Sequence, residues 1–323
     1  MVSVIIPNYN HFDYLEQRID SVLFQTYKDF EVIILDDCST DNSREIIEKY
    51  RNHPKVSSIV YNEVNSGSVF SQWSKGIDLA EGKYIWIAES DDFAEPDFLL
   101  KMIPVLEQDP TIGLIYCNSK VIYSKAMTTK PYATLNDLRK YMTNGSRWNS
   151  SFTMDGQFFL KEYLSKKCVI NNASATIMKK EAINFKEVNL ERFRYAGDWA
   201  VYNNIALTHK ISFLNEVLSN YRDHASNTSK KAFNNFKINY ENYMILSDYY
   251  NFLRAKNIPI HNYLFSIRKS FLPLLITSRD RKHIYASYKK INSAMLRKSL
   301  VFLPMVFGES LMTQFFNKYI RNK

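Results

Sequence analysis

Tyr84-Ile-Trp-Ile-Ala-Glu-Ser-Asp-Asp92 is an apolar run that stops abruptly at acids. A short run rich in aromatic and β-branched residues reads as a buried strand. In an open α/β sheet, ligands sit just beyond the carboxyl ends of strands. Adjacent aspartates at such an end repel each other unless a cation lies beside them. A hard divalent ion such as Mg²⁺ takes oxygen ligands and shares them with substrate phosphates. Asp91–Asp92 therefore reads as a metal-and-phosphate site. A second reading makes the pair the approach to the next helix, because acids favour a first turn and Pro96 suits the first helical position. The pair alone leaves both readings open.

The preceding chain decides between them. Val2 to Pro7 reads as a buried strand ended by Pro7, with a turn at Asn8-Tyr9-Asn10. Phe12 to Phe24 carries Leu15, Ile19, Val22 and Leu23 at helical spacing. Phe30 to Leu35 is a second apolar strand, ending in Asp36–Asp37, and Ser39 to Ser43 offers helix caps before a helix from Arg44 to Tyr50. Val56 to Tyr61 is a third strand, followed by the polar turn Asn65-Ser-Gly-Ser68 and a helix from Val69 to Ala80. Such alternation predicts a parallel sheet with helices on both faces. No GxGxxG follows the first strand and no GxxxxGK[ST] occurs, so neither a dinucleotide fingerprint nor a P-loop is present. Asp36–Asp37 and Asp91–Asp92 thus face one edge of one sheet, joined there by Tyr9. An aromatic ring beside a carboxylate suits a nucleobase, the ring stacking and the carboxylate accepting a base N–H. Asp36 reads as a cap for the next helix, Asp37 as the site residue.

The 323 residues are 46% hydrophobic, enough for a large domain with an appendage. Cys38, Cys117 and Cys168 are widely spaced without CxxC, which argues against a disulfide framework or a structural zinc site. Neither a signal peptide nor an apolar run long enough to span a bilayer is read. The net charge of +9 is concentrated at one end: Lys230 to Lys323 holds 17 basic and 4 acidic residues. A block of that kind meets an anionic surface such as phospholipid, nucleic acid or a phosphorylated substrate.

Val2-Ser-Val-Ile-Ile-Pro-Asn-Tyr-Asn10, Ser21-Val-Leu-Phe-Gln-Thr-Tyr27 and Glu31-Val-Ile-Ile-Leu-Asp-Asp-Cys-Ser-Thr-Asp41 together resemble the opening of family 2 glycosyltransferases. The likeness runs on through Asn65-Ser-Gly67, Gly76-Ile-Asp-Leu-Ala80 and Glu81-Gly-Lys-Tyr-Ile85 to the acidic pair. It implies a GT-A fold, an α/β class with a mainly parallel central sheet, and a nucleoside diphosphate sugar as donor. The acidic pair matches the family's DXD-type motif, which assigns the divalent metal (Mn²⁺ or Mg²⁺) to Asp92 and a ribose or a metal-bound water to Asp91. Pro7, Tyr9, Asp37 and Gly67 match donor-binding positions. Where many members carry an Ala-Arg-Asn run, this chain has Gln72-Trp-Ser-Lys75. Lys75 is then either the replacement positive charge at the diphosphate or a solvated lysine.

A helix is expected from Pro96 to Leu106, a strand from Ile112 to Ser124, a polar stretch from Lys125 to Ser150 on the acceptor side, a short helix from Gly156 to Leu164 and a strand within Asn171 to Met178. Asp198 opens an apolar helix from Trp199 to Leu207. As an N-cap it would need no further explanation. The resemblance makes it the catalytic base. Tyr221-Arg-Asp-His224 follows a strand, and the resemblance offers His224 as a metal or diphosphate ligand and Arg222 as a weaker phosphate contact; a surface role for His224 stays open. The implied organisation is a GT-A domain over residues 1–230, with a nucleotide-sugar half to 110 and an acceptor half beyond it, then a basic helical region over 231–323.

The implied reaction is inverting transfer of one sugar, from a UDP-sugar as the family's commonest donor, to a glycan or lipid-linked saccharide acceptor in surface-polysaccharide assembly. No Gln-x-x-Arg-Trp segment follows Asp198, which speaks for single addition over polymerisation. Expected location is the cytoplasm, the basic helices touching the inner face of an anionic membrane. A nucleotide-sugar binder without turnover and a nucleic-acid binder are the competing classes.

Overall fold

The computed structural model describes residues 1–123, 128–129, 146–224 apart from 166, 171 and 185–187, residue 227, and scattered positions between 238 and 249. The chain divides into two compact units, Met1–Asn234 and Asn235–Lys323. The site lies wholly in the first. The helical, membrane-contacting reading of the basic region and most of the polar stretch 125–150 fall outside the described residues. Among those described, no helix is long and apolar enough to cross a membrane.

Strands β1 (Val2–Asn8), β2 (Phe30–Asp36), β3 (Val56–Tyr61) and β4 (Tyr84–Ile87) alternate with helices α1 (Phe12–Leu23), α2 (Ser43–Lys49) and α3 (Val69–Leu79). They pair in parallel in the order β3-β2-β1-β4, as β-α alternation dictates. β1, β2 and β4 are buried throughout, hence their near-continuous apolar sequences.

On one face, Val2, Val4 and Ile6 pack with Leu15, Ile19 and Val22 of α1 and with Phe98 and Met102 of α4 (Phe98–Gln108). On the other lies α3. A Cβ on Gly76 would stand 2.4 Å from Ile5 Cγ2, so the glycine there sets how closely the helix approaches the sheet.

Past β4 the sheet becomes mixed. β5 (Phe93–Ala94), β6 (Ile112–Tyr123), β7 (Thr128–Thr129), β8 (Phe152–Met154), β9 (Thr176–Lys179) and β10 (Lys210–Asp223) complete it. β9 inserts antiparallel between β4 and β6, and β10 runs parallel to β6. The strand expected within Asn171 to Met178 starts only at Thr176, after a 3₁₀ turn over Ala173–Ala175. Asp91–Asp92 does not open a helix: Phe93–Ala94 pairs antiparallel with Ser219–Asn220 of β10, and α4 begins at Phe98. The expected short helix is α5 (Gly156–Phe159), continued by a π turn over Leu160–Leu164. The last helix of this unit is α6 (Gly197–Ala206).

Candidate active site

The β1–α1 and β2–α2 loops are laced together at the carboxyl edge of the sheet. Asn10 Oδ1 accepts the Thr40 N–H at 2.7 Å, and Asp41 Oδ2 accepts the Phe12 N–H at 3.0 Å, capping α1 from the neighbouring loop. Asn10 (φ 55°) and Cys38 (φ 61°) both hold left-handed backbone, a conformation that costs a non-glycine residue energy and often marks a functional turn. Asp36 accepts from Asn8 Nδ2 at 2.9 Å and from the Ser39 N–H at 3.0 Å. It ties the loops together and does not cap α2, which begins at Ser43.

Asp37 is 4% exposed. Its carboxylate accepts from Asn62 Nδ2 (2.7 Å), the Ser66 N–H (2.9 Å), Ser66 Oγ (2.8 Å) and Gln72 Nε2 (2.9 Å). These donors fix it in place, and the Asp37 N–H bonds the carbonyl of Asn8, the residue before the exposed Tyr9, at 2.9 Å. Gly67 takes φ +73°, which glycine adopts without the Cβ penalty. Pro7 is buried inside β1 opposite Leu35. It shapes the strand end. Lys75 Nζ donates to Asn62 Oδ1 at 2.7 Å, and Asn62 in turn holds Asp37. Lys75 is thereby tied into the Asp37 cluster.

The acidic turn after β4 divides its labour between the two aspartates. Asp92 is 2% exposed, and its Oδ1 accepts the Arg222 N–H at 2.9 Å. Arg222 Nη1 donates to the Asp91 carbonyl at 2.6 Å, and Nη2 reaches Gln17 Oε1. Arg222 thus lashes the end of β10 to the turn. Asp91, by contrast, meets His224: Oδ2 lies 3.1 Å from Nε2. Asn227 Oδ1 accepts the His224 N–H at 2.5 Å, and Asn227 Nδ2 donates to the Arg222 carbonyl at 3.0 Å. His11 approaches from the β1–α1 loop, with Nδ1 2.8 Å from Ser90 Oγ. One ligating atom each of His11, Asp91 and His224 lies within 4.8 Å of the others. A carboxylate and imidazoles in that compass suit a divalent ion. Asp92, read as the metal ligand, lies outside this cluster, its Oδ1 accepting the Arg222 N–H, whereas Asp91 lies within it.

Electrostatics sort the acids the same way. Burial and the neighbouring Asp91 charge push the Asp92 carboxyl up. Burial also acts to raise Asp91, but the His224 hydrogen bond and the charges of His11 and His224 outweigh it and hold Asp91 below the usual carboxylate range. Glu89 is driven up to about 8 by burial and by Asp91, against the pull of a hydrogen bond from Trp73 Nε1 at 2.9 Å. Beneath all three lies Arg18, 0% exposed, its Nε donating to the Glu89 carbonyl at 2.8 Å. Burial lowers Arg18 to about 10, so it stays charged at neutral pH. It is the internal counter-ion of the acidic turn.

Asp198 stands in the first turn of α6. Gly197 meets the Phe70 ring of α3, where a Cβ would lie 2.7 Å from Cγ. Phe70 packs edge-on against Trp73 with centroids 5.2 Å apart, and Trp73 holds Glu89. An aromatic layer therefore joins the start of α6 to the acidic turn. Buried Tyr202, one helical turn on from Asp198, is raised well above its ordinary value, first by burial, then by the Asp198 charge, with Glu89 adding to it. Both acids are felt at one phenol. His11, Ser90, Glu89, Trp73 and Arg18 were not singled out by sequence reasoning. Arg18 carried a signal, since it falls on the buried stripe with Leu15, Ile19 and Val22.

The model of the family described as "Glycosyl transferase family 2" matches residues 3–183, more than half of the chain. The chain belongs to glycosyl transferase family 2. The match covers β1 to β9, while Asp198 and His224 lie beyond it. A putative teichuronic acid biosynthesis glycosyltransferase, TuaG of Bacillus subtilis, is 41% identical over 103 residues, 32% of this chain and 40% of that protein. The chondroitin synthase of Pasteurella multocida is 27% identical over 258 residues, 80% of this chain but 24% of that protein. This family 2 chain thus spans less than half the length of these curated relatives. Among solved structures, S. aureus TarS 1–349 superposes with a TM-score of 0.59 at 18% identity, covering 86% of this chain and 72% of that one. The same TarS segment in complex with UDP-GlcNAc gives 0.56. The fold is GT-A.

Proposed function

We propose that this family 2 chain transfers one sugar from a nucleoside diphosphate sugar, a UDP-sugar foremost, to a hydroxyl of a glycan or lipid-linked acceptor in the assembly of a surface polysaccharide. The observation that carries this reading is the meeting of Asp91 with His224 at the sheet edge where Tyr9 and Asp37 sit. The relatives' names support the polysaccharide setting, and the UDP-GlcNAc complex of TarS supports the donor class.

Tyr9 stacks on the base, and Asp37, immobilised by Asn62, Ser66 and Gln72, accepts a hydrogen bond from it. Asp91 and His224 hold a divalent cation, whose chemistry is to neutralise charge on the departing diphosphate. Asp198 accepts the proton of the attacking hydroxyl through a carboxylate oxygen. One base opposite one leaving group gives a single in-line displacement with inversion. The basic region 231–323 supplies the contact with an anionic membrane surface.

A screen of nucleoside diphosphate sugars, scoring released nucleotide with and without Mn²⁺ or Mg²⁺, tests the proposal. Metal-dependent release from a sugar nucleotide, lost in Asp91→Asn, is the expected result. Binding of the donor with no release beyond background, in the presence of saccharide acceptors, would favour a binding protein without turnover.

A further inference from the structure

We propose that His11 is a third protein ligand of the cation, so that His11, Asp91 and His224 form a two-imidazole, one-carboxylate site that takes a first-row transition ion in preference to Mg²⁺. This rests on the reading above, in which Asp91 and His224 hold a metal, and goes beyond it by naming a ligand from the opposite end of the nucleotide half and the class of ion.

His11 is carried to the cluster by the fold. It ends the β1–α1 loop and occupies the N-cap position of α1, yet its side chain makes no capping bond. The capping oxygen comes from Asp41 instead. The imidazole turns toward the acidic turn, where Nδ1 lies 2.8 Å from Ser90 Oγ and the ring stands 5.7 Å, edge to face, from that of His224. A hydrogen bond to one ring nitrogen is the usual way in which a ligating histidine is oriented and its tautomer fixed. Asn227 Oδ1 accepts the backbone N–H of His224 and so holds the main chain at that residue. Tyr14 packs 5.0 Å from the His224 ring and 6.1 Å from the His11 ring, so both imidazoles share an aromatic wall. The three ligating atoms fall within 4.8 Å of one another.

The donor set has a consequence for ion choice. Mg²⁺ demands oxygen ligands and keeps several waters. Imidazole nitrogen favours first-row transition ions, with affinity rising from Mn²⁺ to Co²⁺. Two imidazoles therefore select against Mg²⁺, where a lone aspartate would not.

The test uses the full chain without nucleotide, titrated separately with Mn²⁺, Co²⁺ and Mg²⁺, together with pulsed EPR of bound Mn²⁺ in protein carrying ¹⁴N- or ¹⁵N-histidine. The expected wild-type result is coupling to two imidazole nitrogens and an affinity order Co²⁺ over Mn²⁺ over Mg²⁺. In His11→Asn, a residue well suited to the N-cap, one nitrogen coupling is lost and Mn²⁺ affinity falls by about tenfold or more, of the order seen when a metal site loses a supporting group. Mg²⁺ affinity changes by less than about threefold, because imidazole adds little for a cation that wants oxygen. Coupling to a single nitrogen in the wild type overturns the role of His11 and leaves the Asp91–His224 reading standing. No Mn²⁺ bound by the wild type, with or without UDP, overturns both. The wild-type nitrogen count needs no variant to fold.

Discussion

Asp91 Oδ2 and His224 Nε2 lie 3.1 Å apart across 133 residues of sequence. The contact is made by parts that the chain supplies separately: the turn after β4 and the end of β10. Arg222 joins them, its backbone bonded to Asp92 and its guanidinium to the Asp91 carbonyl. His224→Ala should weaken Mn²⁺-dependent UDP binding by about 10- to 100-fold, measured by titration calorimetry, while UDP binding in EDTA stays at the wild-type level. Equal losses with and without metal would assign His224 to the nucleotide itself.

Asp92 Oδ1 holds the end of β10 by accepting the Arg222 N–H. Asp92→Ala leaves the buried Arg222 N–H without its acceptor, a loss of about 1–3 kcal/mol. Asp92→Asn keeps an acceptor oxygen there and should recover most of that stability. Urea unfolding of the two variants reads the difference directly. If both were as stable as the wild type, yet lost metal binding, Asp92 would be the ligand after all.

Gly197 sets the distance between the helix that carries Asp198 and the aromatic layer of α3. Gly197→Ala drives a methyl into the Phe70 ring and should cost about 1–3 kcal/mol, as overpacking of a close contact does. It should also reduce turnover by displacing Asp198. Phe70→Leu in the same chain should restore part of both, since touching residues couple. Strictly additive effects of the two substitutions on stability would show that the contact does not transmit.

Much of the fold was legible because its signals are local. β1, β2 and β4 are apolar runs that end at polar turns, and α1 shows its stripe through Leu15, Ile19 and Val22. The insertion of β9 between β4 and β6 was not, since no local pattern states which distant strand will be its neighbour. The acidic pair was legible as a feature of the strand end, but not which of its members meets the distant His224 and which meets the Arg222 backbone. Adjacent side chains at a strand end diverge, and which one turns inward is set by the two-residue pairing of β5 with β10. Lys75 was read from its position against the family's Ala-Arg-Asn run, which does not reveal its partner Asn62, just beyond β3. His11 drew no reading, because its proximity to Ser90 is purely tertiary.

At the other end of the sheet, Glu31 gives a pH prediction away from the cation. Its Oε1 accepts from Ser3 Oγ at 2.5 Å and from the Glu81 N–H at 2.8 Å. Burial acts to raise its pKa, but the hydrogen bonds from Ser3, Ser57 and the backbone outweigh it, and the carboxyl ends below its usual value. A lowered folded pKa means that the unfolded chain binds more protons as the medium is acidified. The stabilisation is therefore present above the ordinary carboxylate range and is lost as pH falls through the folded value. Glu31→Gln should cost about 1–3 kcal/mol at pH 7, the gap from wild type closing on acidification below about pH 4. A gap constant from pH 7 to pH 3 would contradict the assignment.

The division of labour between cation and base is tested most directly by comparing Asp91→Asn and Asp198→Asn in one assay, with released nucleotide and bound donor both measured under saturating Mn²⁺. Asp198→Asn should bind the donor as the wild type does, yet turn over about 100-fold or more slowly, the scale of a lost general base. Asp91→Asn should lose the metal-dependent part of donor binding. Wild-type turnover in Asp198→Asn would contradict the account.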